Sequence, residues 1–140
     1  MKESDLTRAT DILHTNGYTC VACRGADVFS SRERGVKPLL AWLDSGLDLT
    51  GYSAADTVVG RAAAFLYITL GVSALYCGVL SRGALELLEA RGITVRYGTL
   101  TDEIINRAGT GPCPFEAAVR DDTTPEAAVD SIRAKARELF

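Results

Sequence analysis

A thiol and a carboxylate three residues apart, Cys113 and Glu116, follow the glycine-rich run Gly109-x-Gly111, and Asn106-Arg107 precede it. Glycine admits backbone conformations and close approaches that other residues forbid, so this loop can lay its main chain against a ligand. A thiol at a helix N-terminus has a lowered pKa and is the stronger nucleophile for it. Cys113-Pro114 opens a short helix from Phe115 to Val119, and Glu116 has the spacing to reach back in the manner of a capping box. The chemistry on offer is a reactive or ligand-contacting thiol at Cys113, with Arg107 as an anion clamp. The structural alternative is an ordered loop with a buried cysteine and a capping glutamate.

A second set of candidates lies in Ala54 to Gly98, which reads as helix, strand, helix, strand. Asp56 opens the first helix, expected from about Ala54 to Leu70, and Ser81 opens the second. Free helix N-termini carry unpaired N–H groups and a partial positive charge suited to phosphate or carboxylate. Helices that follow strands in an open α/β sheet begin at the strands' carboxyl ends, where ligands bind. The N-termini at Asp56, Ser81 and Cys113 are therefore expected to converge, unless Asp56 and Ser81 are only caps. Gly60 falls inside the first helix, where glycine costs about 1 kcal/mol relative to alanine. Close packing or a ligand's approach accounts for it, and Arg61 beside it adds positive charge. Ser31 and Gly35 bracket the charged run Ser31 to Lys37, which is either a lid over this site or a solvated connection.

The remaining chemistry-bearing residues carry less. Cys20-x-x-Cys23 is a single pair on a strand, and positions three apart point to opposite faces, so the two thiols cannot share a metal. Core packing is the reading for both, and for Cys77. The only histidine is His14, so no Ser-His-Asp set can be assembled. No phosphate-loop or dinucleotide fingerprint occurs. No metal site and no cofactor are expected.

These residues need a scaffold, and the 140-residue chain supplies one domain over residues 1–140. Ser4 caps a helix that runs to Gly17; Tyr18 to Cys23 and Val28 to Ser31 form a hairpin about Arg24-Gly25-Ala26-Asp27. Pro38 to Asp44 is a helix and Gly46 to Ser53 a loop. Val72 to Cys77 and Ile93 to Tyr97 are strands joined by the helix that Ser81 caps, and should pair in parallel. Asp102 to Arg107 is expected as a short helix. Thr124-Pro125 starts the last helix, which ends near Leu139. The order describes an α/β fold, a three-layer α/β/α sandwich with a mixed sheet of four or five strands.

Hydrophobic residues at 47% and charged residues at 24% describe a globular chain rather than a disordered one. A net charge of −3 leaves no basic footprint for nucleic acid or anionic lipid. The longest apolar run, Ala62 to Leu80, is broken by Gly71 and Gly78, so no membrane span is expected. Met1 to Asn16 reads as a charged amphipathic helix rather than a signal peptide, and a cytoplasmic protein with four free thiols is the expectation.

Leu75 to Gly98, LYCGVLSRGALELLEARGITVRYG, resembles the stretch of the cytidine deaminase superfamily in which a strand runs into a Pro-Cys-x-x-Cys turn, a helix and a strand ending Val-x-Tyr-Gly. The resemblance implies a cytidine-deaminase-like fold. It does not extend to the zinc motif. Ser81 and Ala84 stand where the cysteines would be, and Ala54-Ala55-Asp56 stands where the His-x-Glu would be, so zinc-dependent deamination is not expected.

Three longer motifs are similar to a small prokaryotic family of unassigned function with the same fold. They are Ser31-x-x-x-Gly35-Val36-x-Pro38-Leu39-Leu40, Ala55-Asp56-x-Val58-Val59-Gly60-x-Ala62-Ala63, and Asn106-Arg107-x-Gly109-x-Gly111-x-Cys113-Pro114-x-Glu116. That likeness implies a shared pocket without a known reaction.

The expectation is a binding protein whose pocket is drawn from Ser31, Gly35, Asp56, Gly60, Arg61, Ser81, Asn106, Arg107, Cys113 and Glu116. Its ligand is a small molecule: an anion on physical grounds, a nucleotide or nucleoside derivative by fold analogy alone. A metal-independent enzyme with Cys113 as nucleophile and Asp56 or Glu116 as acid–base is the alternative, and a subunit acting through an interface, such as a homo-oligomer, is the third.

Overall fold

The computed structural model describes residues 2–105, 109, 111 and 113–140. Helix α1 (Lys2–Asn16) leads into the hairpin β1 (Cys20–Arg24) and β2 (Asp27–Ser31), then α2 (Lys37–Asp44). Two strand–helix units and a last strand follow: β3 (Ser53–Val59) and α3 (Arg61–Leu70), β4 (Ala74–Ser81) and α4 (Arg82–Ala90), then β5 (Thr94–Thr101). The chain closes with α5 (Pro114–Ala118) and α6 (Pro125–Leu139). The sheet order is β2-β1-β3-β4-β5. β1 is antiparallel to both β2 and β3, whereas β3, β4 and β5 run parallel. The result is an α/β fold with a mixed open sheet, in which the hairpin and the parallel pairing of β4 with β5 are as expected.

One expected element is corrected. Ala54 to Leu70 is not a single helix. Its first part is strand β3, Gly60 is extended at φ −102°, ψ −169°, and the helix begins only at Arg61. Ala54 and Ala55 are good helix formers, yet they lie between β1 and β4 and are fully buried. Pairing and burial on both sides outweigh the local preference, and β-branched Thr57, Val58 and Val59 complete the strand. Asp56 therefore opens no helix, Gly60 is the N-cap rather than an interior residue, and Arg61 is the first helical residue.

Smaller corrections have similar causes. Ser4 lies inside α1, which begins at Lys2. β4 and β5 start later and run further than expected, because each continues pairing to Ser81 and Thr101. Residues 102–105 are not helical, and the rest of the helix expected to Arg107 lies outside the described residues.

Alternation along the strands divides the core. The register-matched set Ala22, Ala54 and Leu75 belongs to the large cluster formed with α2, α3, α4 and α6. The intervening set Val21 and Ala55, with Tyr76 beside them, packs instead against Ala9 and Leu13 of α1. α3 is the centre of the larger cluster. Ala62 to Tyr67 and Leu70 are all buried, so the helix is apolar around its whole circumference, as a helix enclosed by others must be. Its C-terminus ends on Gly71 at φ +96°, and a Cβ there would lie 2.7 Å from Thr50 Oγ1. Glycine is required twice over at that position. Among the described residues no helix is long and apolar enough to cross a membrane.

Candidate functional site

The register across the middle of the sheet sets Cys20 on β1 and Cys77 on β4 either side of Asp56 on β3. Partners in register share a face, and this face is the one covered by α3. Asp56 is 7% exposed. The Tyr67 hydroxyl on α3 donates to its Oδ2 at 2.6 Å, and the Val58 N–H donates to Oδ1 at 3.3 Å. Burial pushes the Asp56 carboxyl up to about 7, against the pull of the Tyr67 hydroxyl and the N–H groups of Val58 and Thr57. Burial, and then the Asp56 charge, push the Tyr67 phenol well above its ordinary value. The same two causes raise the thiols of Cys20 and Cys77, which stay protonated at neutral pH. Among the described residues no lysine, arginine or histidine forms an ion pair with Asp56.

Asp56 and Cys20 lie in the wall of a cavity of about 260 Å³ at the carboxyl end of β3. Gly35, Val36 and Pro38 bound it at the start of α2, Gly60 and Ala63 at the start of α3, and Cys113, Phe115 and Glu116 at the start of α5. Gly35, Asp56, Gly60, Cys113 and Glu116, all chosen from the sequence, thus share one space. Three helix N-termini do converge, but they are those of α2, α3 and α5. Cys113 is half-buried, and its N–H donates to the Ile104 carbonyl at 3.0 Å.

Glu116 does not act on its own helix. Its Oε1 accepts the Arg61 N–H at 2.7 Å and its Oε2 accepts the Ala62 N–H at 2.8 Å. A carboxylate from α5 thus caps α3, supplying the acceptor that Gly60, lacking a side chain, cannot. The N-terminus expected to receive an external anion is already occupied by one belonging to the protein.

Arg61 and Ser81 line a neighbouring cavity of about 150 Å³, which shares Ile104 and Glu116 with the first. Ser81 caps α4 as expected: its Oγ accepts the Ala84 N–H at 3.2 Å. The Arg61 guanidinium donates to the Asp122 carbonyl at 2.7 Å and lies 5.4 Å from the Phe65 ring centre, so it braces α3 against the loop before α6. Ser31 lies outside both cavities. It ends β2, where its carbonyl accepts the Thr19 N–H at 2.8 Å and its Oγ the Glu33 N–H at 3.0 Å. Asn106 and Arg107 lie outside the described residues. Among those described, no three His, Cys, Asp or Glu side chains are grouped to hold a metal ion.

The family described as TM1506, Domain of unknown function (DUF1893), matches residues 8–136, nearly the whole chain. The chain belongs to the DUF1893 family. Among solved structures it is similar to a DUF1893 family protein (TM1506) from Thermotoga maritima. The two are 25% identical over 99% of this chain and 92% of that one, with a TM-score of 0.86. No curated protein matches the chain. The function of the DUF1893 domain is unknown, so any assignment has to come from the site itself.

Two participants were not selected from the DUF1893 sequence. Tyr67 reads as core because it sits among Phe65, Leu66 and Ile68, and Cys20 reads as strand packing. The usable signal for Tyr67 was a hydroxyl in an otherwise apolar helix, since a buried phenol needs a polar partner.

Proposed function

We propose that this DUF1893 chain binds a small, mostly apolar molecule in the cavity at the carboxyl end of β3, with Asp56 as its polar anchor. The observation that carries this reading is a carboxyl more than nine-tenths buried in the wall of an otherwise largely apolar cavity. Burying a carboxyl without a charged partner is costly, and such groups concentrate at functional sites. The volume of about 260 Å³ lies just under the usual range for small-molecule pockets, roughly 300–1,000 Å³, which favours a compact ligand.

The electrostatics turn the reading away from an anion. Glu116 fills the N-terminus of α3, and Asp56 adds a second acidic group to the same wall. A phosphate would meet both. We read the fold as a cytidine-deaminase-like α/β/α sandwich, supported by the sequence resemblance and by helices on both faces of the mixed sheet. By that analogy the base or nucleoside portion of a nucleotide fits the cavity better than its phosphate does. We place the protein in the cytoplasm on its four free cysteines, which suit a reducing compartment.

The test is a thermal-shift and NMR screen of compact neutral and charged molecules against wild type and Val58→Trp. Val58 lines the cavity yet is 44% exposed, so a larger side chain can be carried at its rim without disturbing the core. A molecule that raises the Tm of wild type and not of Val58→Trp supports the pocket. Molecules that stabilise both proteins alike overturn it.

A further inference from the structure

Resting on the cavity reading above, we infer that the ligand is an organic monocation, a primary amine or amidine on a compact apolar body, whose head pairs with the Asp56 carboxylate. The argument begins with what surrounds that carboxyl. Cys20 on β1 and Cys77 on β4 flank it with neutral thiols, and Tyr67 on α3 and the Val58 main chain supply hydrogen-bond donors without positive charge. Aspartate is almost never this buried unless paired. Here the described residues donate hydrogen bonds from Tyr67, Val58 and Thr57, and none of them supplies a cation. A carboxylate offers about four acceptor sites, more than these three donors fill.

On the α5 side the wall carries a second charge of the same sign. Glu116 contributes a second carboxylate, while the nearby Arg61 guanidinium turns away to the Asp122 carbonyl and the Phe65 ring. Arg34 also lines the cavity, but from the connection before α2, where it is exposed to solvent. Low-dielectric walls focus the field of the acidic groups into the cavity and favour a cation there. An ammonium or amidinium donor fills a remaining acceptor site and supplies a charge that the described residues do not. A charge-assisted bond of this kind is roughly twice as strong as a neutral one. Ala62, Ala63 and Phe115 offer apolar surface to the remainder of such a molecule.

Three probes of nearly equal size separate head group from body: benzylamine, benzyl alcohol and benzoate. Calorimetric titration at about pH 8 keeps the amine charged and Asp56 largely ionised. The expected result is benzylamine bound at least about tenfold more tightly than benzyl alcohol, with benzoate weakest. Asp56→Asn, close to the native side chain in shape, should abolish the amine's advantage over the alcohol. Tyr67→Phe retains the carboxyl and should keep the amine ahead of the alcohol by a smaller margin, because Asp56 ionises less readily without that hydroxyl; a cooperative melting transition of Asp56→Asn guards against misreading a folding defect. Alcohol bound as tightly as amine in wild type, and lost in Val58→Trp, overturns the cation while leaving the pocket intact. An amine advantage that survives Asp56→Asn also overturns it. Failure of all three probes, alongside a screen that finds no ligand sensitive to Val58→Trp, sinks the cavity reading itself.

Discussion

The Glu116 carboxylate sits in the space that a side chain at residue 60 would need: a Cβ on Gly60 would lie 2.5 Å from Glu116 Cδ. Fifty-five residues separate Glu116 from Arg61, the first N–H it caps, so the start of α3 depends on the placement of α5. Glu116→Ala should cost about 1–2 kcal/mol, typical of a lost helix cap. Gly60→Ala should destabilise as well, since Glu116 must move from both N–H groups to admit the methyl. In the Glu116→Ala background the same Gly60→Ala change should cost much less. Urea denaturation of the four proteins gives the coupling, and strictly additive effects would show that the two residues do not compete for one space.

Asp56 makes stability depend on pH in a direction opposite to that of a salt-bridged carboxylate. Its value in the folded protein, about 7, lies above the ordinary 3.8, so the unfolded chain gives up this proton first as pH rises. Stability from this group is intact below about pH 4, falls between about pH 4 and 7, and is flat above. The full loss is roughly 4 kcal/mol. Asp56→Asn should remove the slope and unfold at a higher urea concentration than wild type at about pH 8, with the ranking narrowed or reversed at about pH 5. A wild type that gains stability over the variant between those two pH values would refute the desolvated carboxyl.

Tyr67→Phe removes the donor that favours the ionised form of Asp56. The descent in stability should then extend to higher pH than in wild type. The comparison needs only denaturation midpoints across the same pH series, and an unmoved descent would mean that the 2.6 Å contact does not persist in solution.

The cysteines should separate by reactivity. Cys20, Cys23 and Cys77 are buried and their thiols are pushed upward, chiefly by burial, whereas Cys113 is half-buried at the cavity. A short exposure of native protein to a thiol-directed alkylating agent should label Cys113 ahead of the other three, read by peptide mass spectrometry. Slower labelling of Cys113 in the presence of a bound ligand would place that ligand beside it. Equal labelling of all four would contradict the burial of the strand cysteines.

Ser81→Ala should cost about 1 kcal/mol through loss of the bond to the Ala84 N–H, with no change in binding at the larger cavity. Loss of binding at unchanged stability would instead make Ser81 a ligand contact.

Local rules were enough wherever an element depends on its own residues. The hairpin about Gly25, the cap at Ser81, the Thr124-Pro125 start of α6 and the stop at Gly71 rest on backbone freedom, side-chain caps and proline geometry within a few positions. Gly35, Gly60 and Cys113 stand at element boundaries, where glycines and polar residues mark the meeting of strand and helix, whereas Asp56 reaches the same cavity from inside β3 rather than from the helix start expected for it. What stayed hidden depended on neighbours distant in sequence. Ala54-Ala55-Asp56 favours a helix until β1 and β4 pair with it from either side, and only then does the aspartate turn towards Tyr67 and the thiols of Cys20 and Cys77. Glu116 could be recognised as a capping residue, but which helix it caps is set by packing across the fold. Hydrogen-bonding capacity is written in residue types, while the partner that uses it is chosen by burial, since a polar group withdrawn from water must bond to whatever the fold has brought within reach.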